Sequence, residues 1–317
     1  MIWAIGDIHG MLDPLIRLIS KIFDIHRRMN DDLKIIFLGD YIDHGPSSKQ
    51  VIDYLLDLPC ETVFLMGNHE DLLLQFVNQS DLFQRFGNVW FRGNGGQQTA
   101  VSFNPNLDLS DDTRLQPDAL KLEDKYVNFF QNLKLSHEEK IGSKKFAFVH
   151  GLPNKAYSIS EQLALKNYDE YHAWLNKHNV WIEDSLLWDR SNPKDHFDDF
   201  ILVHGHIPTP RLKKMWRKID GYDISSEIPF IKFKTTQDET PLSGTKEFFY
   251  NCYLEGDIDD MIAINVDTGA VYGHSLSAIG FSEEDIENQF FSVIKVKTSK
   301  GYRMSTECDS LQMHFGK

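Results

Sequence analysis

The chain is 317 residues long, 41% hydrophobic and 12% aromatic, with 33 Lys+Arg against 47 Asp+Glu and a formal net charge of -14. That length suits one large domain or two modest ones with a packed core, and the acidic balance argues against non-specific binding to nucleic acid or an anionic membrane, since both reward a basic face. Cys60, Cys252 and Cys308 form no CxxC pair, so neither a disulfide framework nor a cysteine zinc site is suggested and a reducing cytoplasm is expected; the opening MIWAIGDIHG has no basic stretch before a long apolar one, and no apolar run could span a bilayer.

In chain order, IWAI (2–5) reads as a strand and MLDPLIRLISKIFDIHRR as an amphipathic helix, with Pro14 tolerated near its start. KIIFL (34–38) is a second strand, SSKQVIDYLLDL (47–58) a helix with a serine cap, TVFLM (62–66) a third strand and EDLLLQFV a helix. Short, continuously apolar strands joined by helical crossovers predict a mostly parallel sheet covered on both faces. Further strands are expected at KKFAFV (144–149), DFILV (199–203), MIAINV (261–266) and FSVIKVKT (291–298). Polar and helical sequence between about 104 and 143, and again between 155 and 185, predicts caps or lids. There is no internal repeat or low-complexity tract.

Chemistry-bearing residues gather where these strands end. GDIHG (6–10) follows the first strand, GDYIDHG (39–45) the second, GNHE (67–70) the third, and VHG (149–151) and VHGH (203–206) two later ones. In open α/β sheets the carboxyl ends of the strands line the ligand crevice, so separated segments deliver their polar tips to one place. Glycine lets the backbone turn sharply beside a ligand. Asp, His and Asn are hard or borderline donors, suited to ions such as Mn, Fe or Zn rather than to a thiolate site. A GD or HG alone is ordinary turn chemistry. Five such fragments, each behind its own apolar strand, are a stronger signal.

GD-x-HG, GD-x-x-D-x-G, GNHE and two later histidines resemble the calcineurin-like metallophosphoesterases, and the first three blocks resemble the phosphoprotein phosphatase family of serine/threonine phosphatases. WFRGNGG (90–96), LLWDR (186–190), VHGHIP (203–208) and INVDTGAVYG (264–273) are similar to its bacterial and phage branch. The resemblance implies an α/β (α+β) fold with a central two-sheet β-sandwich, built on β-α-β-α-β units, flanked by helices and carrying a dimetal site at the carboxyl ends of the strands. It implies a single domain over 1–317, with an insertion at about 210–260 and a C-terminal extension at about 281–317.

Carried over by position, the resemblance makes Asp7, His9 and Asp40 ligands of one metal ion and Asp40, Asn68, His150 and His206 ligands of the other, with Asp40 bridging. It implies two divalent ions, Mn first and Fe, Zn or Ni as options, roughly 3.5 to 4 Å apart, with a shared hydroxide attacking phosphorus. His69 is then the general acid, and Asp43 orients it and favours its protonated form; a turn-capping Asp43 is the alternative. His44 stands where the family usually has arginine. A histidine offers at most two diverging donors and titrates near neutrality, so the expectation is a weaker, pH-sensitive phosphate contact, or else a rim position facing solvent. Arg190 matches a second phosphate-binding arginine, the alternative being a loop arginine paired with Asp189, and Asn68 also faces substrate. Trp188 reads as a packing residue, and His204 as support for the metal site or a buried hydrogen-bonded histidine. His26, His137, His172, His178, His196 and His274 read mostly as surface residues. Asn94, Gly95 and Gly96 form an active-site loop or a plain turn.

The expected activity is metal-dependent phosphomonoester hydrolysis by a cytoplasmic serine/threonine protein phosphatase, with tyrosine as a further option. Its partner would be a phosphoprotein or phosphopeptide, not nucleic acid or membrane. Two other readings stay open: a symmetrical diadenosine tetraphosphatase with the same dimetal core, and a non-catalytic phosphoprotein-binding module. Retention of His69 with Asp43 argues against the module, which needs no proton donor. The long stretch between VHGHIP and INVDTG suggests a lid or docking surface, and the basic RLKKMWRK (211–218) within it a solvated face or a site for an acidic partner. The tail after 281 is expected to add an edge strand or a helix on the core.

Overall fold

The computed structural model describes residues 1–29, 32–79, 89–107, 120–191, 197–209, 247–253, 258–298 and 312–315. β1 (Ile2–Ile5), β2 (Lys34–Phe37) and β3 (Glu61–Phe64) pair in parallel, with Ile2 opposite Lys34 and Lys34 opposite Glu61. α1 (Leu12–Met29) and α2 (Ser48–Leu56) make the crossovers, and α3 (Asn68–Val77) leaves the third strand. This is the strand-helix alternation that the apolar runs predict. The serine at the start of α2 departs from expectation: Ser47 makes no side-chain cap bond, and the Ser48 hydroxyl lies 2.9 Å from Thr99 Oγ1.

Thr99 belongs to α4 (Gly96–Phe103), which follows a single π-helical turn at Val89–Gly93 and packs against α2. α5 (Asp124–Gln131) leads into a hairpin of β4 (Ser136–Ile141) and β5 (Lys144–Val149). α6 (Ile159–Leu163) and α7 (Tyr168–His178) come next, capped by Ser158 and Asn167 side chains that accept from Glu161 and Glu170 N–H groups. The remaining strands are β6 (Phe200–His204), β7 (Glu247–Tyr253), β8 (Met261–Asn265), β9 (Ser275–Phe281), β10 (Phe290–Lys297) and β11 (Gln312–Phe315), with α8 (Glu283–Glu287) between β9 and β10.

Two mixed sheets result, ordered β3-β2-β1-β9-β10-β7 and β11-β8-β6-β5-β4. Parallel pairing is confined to β1-β2-β3 and β5-β6-β8; β9, β10, β7, β4 and β11 join antiparallel, which corrects the expectation of a mostly parallel sheet. The cause is local, because β5 directly follows β4 across a turn at Gly142 (φ 58°), too short for a parallel crossover. Of the probable insertion, β7 forms an edge of the first sheet, while the basic 211–218 stretch lies outside the described residues. The tail supplies α8, the interior strand β10 and the edge strand β11.

The sheets face each other across Ala4, Ile36, Leu38, Phe146, Phe148, Val203, Ile264, Ile279 and Phe281, with the Phe146 and Phe281 rings 5.1 Å apart. Neighbours in the same strands, such as Trp3, Ile5, Ile35 and Phe37, point the other way into the cluster beneath the helices. Burial on both faces explains why these strands read as unbroken apolar runs.

Candidate active site

The loops after β1, β2, β3, β5 and β6 converge at one end of the sandwich. Two of their glycines are required by crowding: a Cβ on Gly67 would lie 2.1 Å from Asp40 Oδ1, and one on Gly205 would lie 2.2 Å from Asp7 Oδ1. His9, Asp40, Asp43, His44 and His206 hold positive φ between 47° and 72°, a region that costs a non-glycine residue about 1–2 kcal/mol. Such strain persists only where the surroundings over-determine it.

Glu70 provides much of that determination. Buried at the third position of α3, it accepts the N–H groups of Asp40 and Gly67 on Oε2 (2.9 Å each) and those of Tyr41 and Ile42 on Oε1 (2.8 and 3.3 Å). One carboxylate therefore ties the loop after β2 to the start of α3. Burial pushes Glu70 up to about 7, against the pull of its backbone donors. The motif GNHE contains this residue, yet sequence reasoning gave it no role; an acidic side chain at the third helical position is a known capping signal that could have found it.

The six expected metal ligands, Asp7, His9, Asp40, Asn68, His150 and His206, are each at most 7% exposed. His9 Nδ1–H donates to Ile42 O (2.9 Å) and His150 Nδ1–H to Leu38 O (2.8 Å). A carbonyl can only accept, so the other nitrogen of each neutral ring is bare. His9 Nε2 faces Asp40 Oδ2 at 3.4 Å, and His150 Nε2 faces Asp40 Oδ1 at 3.4 Å and Asn68 Oδ1 at 3.0 Å. His206 Nε2 accepts from Arg190 Nε–H at 3.1 Å and lies 3.1 Å from the Trp188 carbonyl, while Nδ1 lies 2.9 Å from Asn68 Oδ1.

Acceptors thus face acceptors. Protonating the rings would relieve the conflict, but burial first and neighbouring positive groups second hold His9 and His206 well below the usual histidine range and His150 down at about 3. Burial likewise raises Asp7 and Asp40 well above ordinary carboxylates, with Asp267 adding repulsion at Asp7 and Glu70 at Asp40. A cation among these groups answers every one of those penalties. The ligand atoms of Asp7, His9 and Asp40 lie within 4.8 Å of one another, as do those of Asp40, His150 and His206, and Asp40 is common to both groups. The residues fit two cations sharing one carboxylate.

Asp267 is a member that sequence reasoning passed over. It is buried beside Asp7, accepts Gly269 N–H at 2.8 Å, and is pushed up to about 7 by burial. It lies just beyond β8, where the rule applied to the other strand ends would have placed it.

His69 Nδ1 is 2.7 Å from Asp43 Oδ2, the pairing expected of a proton donor and its orienting carboxylate. Asp43 also accepts from Trp90 Nε1–H (2.8 Å) and Thr99 Oγ1–H (2.6 Å), partners that the sequence did not reveal. Burial opposes the expected protonation. It pushes His69 down to about 3, with His44 and Arg190 adding to it, and raises Asp43 to about 8. The Thr99 and Trp90 donors pull Asp43 back against burial, and its contact with Nδ1 fixes the His69 ring.

His44 is half-buried, its ring 5.1 Å from those of both His9 and His69 and 6.2 Å from exposed Tyr272, so it lines the site instead of turning away to solvent. Its N–H reaches Gly95 O at 3.4 Å, which brings the Asn94–Gly96 loop to the site. Arg190 is exposed and reaches His206, while Asp189 accepts from Ser191 N–H. His204 is buried at the end of β6 and pushed down to about 4 by burial. His137 and His172 are not free surface histidines: they lie 2.8 Å from Glu139 and 2.7 Å from Asp71. His196 lies outside the described residues.

A profile of the calcineurin-like phosphoesterase family matches residues 1–228. The symmetrical bis(5'-nucleosyl)-tetraphosphatase of Cellvibrio japonicus is 25% identical over 294 residues, 87% of this chain and 94% of that protein. Its namesake from Legionella pneumophila (strain Lens) is 27% identical over 191 residues, 59% of this chain and 62% of that one. A zinc-dependent endopolyphosphatase of Saccharomyces cerevisiae is 36% identical over 70 residues, so the chain spans only 21% of its length. Among solved structures, a metallophosphoesterase from Sphaerobacter thermophilus gives a TM-score of 0.40 at 14% identity, covering 94% of this chain and 88% of that one. A cold-active protein-tyrosine phosphatase of a Shewanella species gives 0.42 at 16% identity, covering 66% of each. Among the described residues no helix is long and apolar enough to cross a membrane.

Proposed function

The chain belongs to the calcineurin-like phosphoesterase family, and from that premise we propose that it is a metal-dependent phosphohydrolase whose substrate is a dinucleoside tetraphosphate. The observation that carries the hydrolase is the cluster around Asp40, where the bare imidazole nitrogens of His9 and His150 face carboxylate and amide oxygens although Asp40 Oδ1 also accepts His69 N–H. What supports the substrate is the name of relatives aligned over most of the chain. These favour the diadenosine tetraphosphatase reading over the phosphoprotein substrate expected first from sequence. Imidazole, carboxylate and amide donors suit Mn, Fe, Zn or Ni.

Asp7, His9 and Asp40 would hold one cation, and Asp40, Asn68, His150 and His206 the other. Bound there, the ions would supply Lewis acidity to the phosphoryl oxygens and acidify an attacking water. The chain's own residues do the rest. Arg190 and His44 bring positive or donor groups to the phosphate from the mouth of the site. Asp43, steadied by Trp90 and Thr99, holds the His69 ring and balances the charge of its imidazolium form, from whose outer nitrogen a proton can pass to the departing oxygen.

The test is a side-by-side assay of diadenosine tetraphosphate, a phosphoseryl peptide and an aryl phosphate with added Mn²⁺. A single product, the nucleoside diphosphate, at the highest kcat/KM is expected from the dinucleotide. Preference for the peptide would overturn the substrate, and turnover surviving exhaustive chelation would overturn the metal dependence.

A further inference from the structure

Asp71 follows the GNHE block directly, is fully buried, and plays no part in the chemistry above. Its carboxylate nevertheless gathers three donors from three places. Oδ1 accepts from His172 Nε2 at 2.7 Å, and Oδ2 accepts from Trp188 Nε1–H at 3.1 Å and Gln75 Nε2–H at 2.8 Å. His172 lies on α7, Gln75 on α3, and Trp188 in the segment that runs to Arg190.

That segment connects the network to the active site. The Trp188 carbonyl is 3.1 Å from His206 Nε2, and two residues later Arg190 Nε–H donates to the same ring nitrogen at 3.1 Å, so both ends of the segment bear on the orientation of this ring. The segment is clamped at other points too: Gly151 N–H donates to Leu186 O (2.9 Å), and the Tyr171 hydroxyl meets Ser185 Oγ at 2.5 Å. The bond to Asp71 ties the indole of Trp188, which also packs against the core, to the helix that presents Asn68 and His69.

We propose that Asp71 is a positioning residue for the second cation site and for Arg190, acting through the Trp188 indole on the orientation of His206. A partner one hydrogen bond from a ligand typically changes metal affinity about 10- to 100-fold; Asp71 acts one contact further out, through Trp188, so its effect belongs at the low end of that range. The inference rests on the metal-site reading above. Its test therefore begins with wild-type protein stripped of metal and titrated with Mn²⁺ by calorimetry, which examines that reading separately.

Asp71→Ala is expected to leave one cation bound near wild-type affinity and to weaken the other about tenfold, with KM rising as Arg190 loses its place. Asp71→Asn should restore both: the amide oxygen can still serve Trp188 and Gln75, while the amide N–H serves His172 in its other tautomer. Trp188→Phe keeps a planar aromatic ring, smaller than the indole, and the backbone carbonyl but deletes the N–H. It should reproduce the Asp71→Ala defect, and the double variant should be no worse than either single one, since the two act in one chain of contacts. This variant also keeps the test open should Asp71→Ala fail to fold. Wild-type metal affinity and KM in Trp188→Phe, or additive defects in the double variant, would overturn the proposal. Wild-type protein that binds no metal would instead overturn the reading it rests on.

Discussion

The half of the site that grows from the first sheet and the half that grows from the second are held by different means. In the first, loops are knitted backbone to backbone: Ile8 and His9 N–H groups donate to Asp40 O (3.0 and 2.8 Å), and Gly10 N–H donates to Tyr41 O (2.8 Å). Glu70 then pins the second loop to the third from inside. In the second half, Gly205 N–H to His150 O (3.0 Å) joins the two histidine loops, and they otherwise lean on contacts that side chains make: His150 Nδ1–H on Leu38 O (2.8 Å), His206 N–H on the Asp7 carboxylate (3.0 and 3.1 Å), and the His206 ring on the Trp188 segment. The first half is preformed by short sequence motifs, whereas the second is assembled by packing between distant parts of the chain.

Asp40 is the one residue common to both cation groups, so removing it tests whether the halves function together. Asp40→Asn is expected to abolish high-affinity binding of both ions and to cut turnover by about a thousandfold or more, the loss of several kcal/mol of charge stabilisation. Metal titration and steady-state kinetics check this. If one ion still bound with wild-type affinity, the halves would be independent sites and the shared-carboxylate picture would be wrong.

His69 belongs to the first half, and its effect should depend on the leaving group. A departing phosphate has a pKa of about 6 and needs little help, whereas a seryl alkoxide needs a proton. His69→Asn should therefore cost an alkyl phosphate about 10²- to 10⁴-fold in kcat and the dinucleotide clearly less. Equal losses on both substrates would place His69 in binding or in positioning, not in proton transfer.

How much of this was legible follows the same division. Asp7, His9, Asp40, Asp43 and His69 sit in contiguous blocks behind apolar strands, so position marks the blocks and the family resemblance supplies their roles, and the structure places them together. β4, β7, β9 and β11 were missed. SHEEKI is charged because β4 is an outer strand, and SLSAIGF carries serines that the interior of the site end employs, with Ser277 Oγ–H donating to Val266 O at 2.6 Å. Trp90, Thr99 and Asp71 act through contacts between segments far apart in sequence, and no local pattern encodes such a contact, whereas Asp267 stands just past β8 where the strand-end rule could have found it. Glu70 was visible as a letter of the motif but not as the acceptor of four N–H groups, because its role depends on where the loop after β2 runs.

Glu70 gives the next prediction. Glu70→Ala leaves as many as four buried N–H groups to find other partners, at about 1–3 kcal/mol for each one left unmet, whereas Glu70→Gln keeps one oxygen and should lose less. Hydrogen exchange should quicken at Asp40, Tyr41, Ile42 and Gly67 while Gly151 and Gly205 keep wild-type protection. Uniform loss across both halves would show that they fold and open as one unit.

The smallest expected effect lies at the mouth, where His44 replaces the family's arginine. Its ring sits among His9, His69 and Tyr272 and is half-buried, so it can meet substrate without entering the cation cradle. An imidazole gains charge as pH falls and loses it as pH rises, so its attraction for a polyphosphate fades towards alkaline pH. A guanidinium keeps its charge and adds a planar fork. His44→Arg should therefore lower KM for an anionic substrate a few-fold, about 1 kcal/mol for one charge-assisted contact at a partly solvated position, and flatten the alkaline rise of KM with little change in kcat. Cation affinity is expected to stay near the wild-type value, because His44 belongs to neither of the Asp40-centred groups, its own grouping being with His9 and His69. A change in cation binding would move His44 from the mouth into the cradle and redraw the boundary between the preformed wall and the substrate-facing rim.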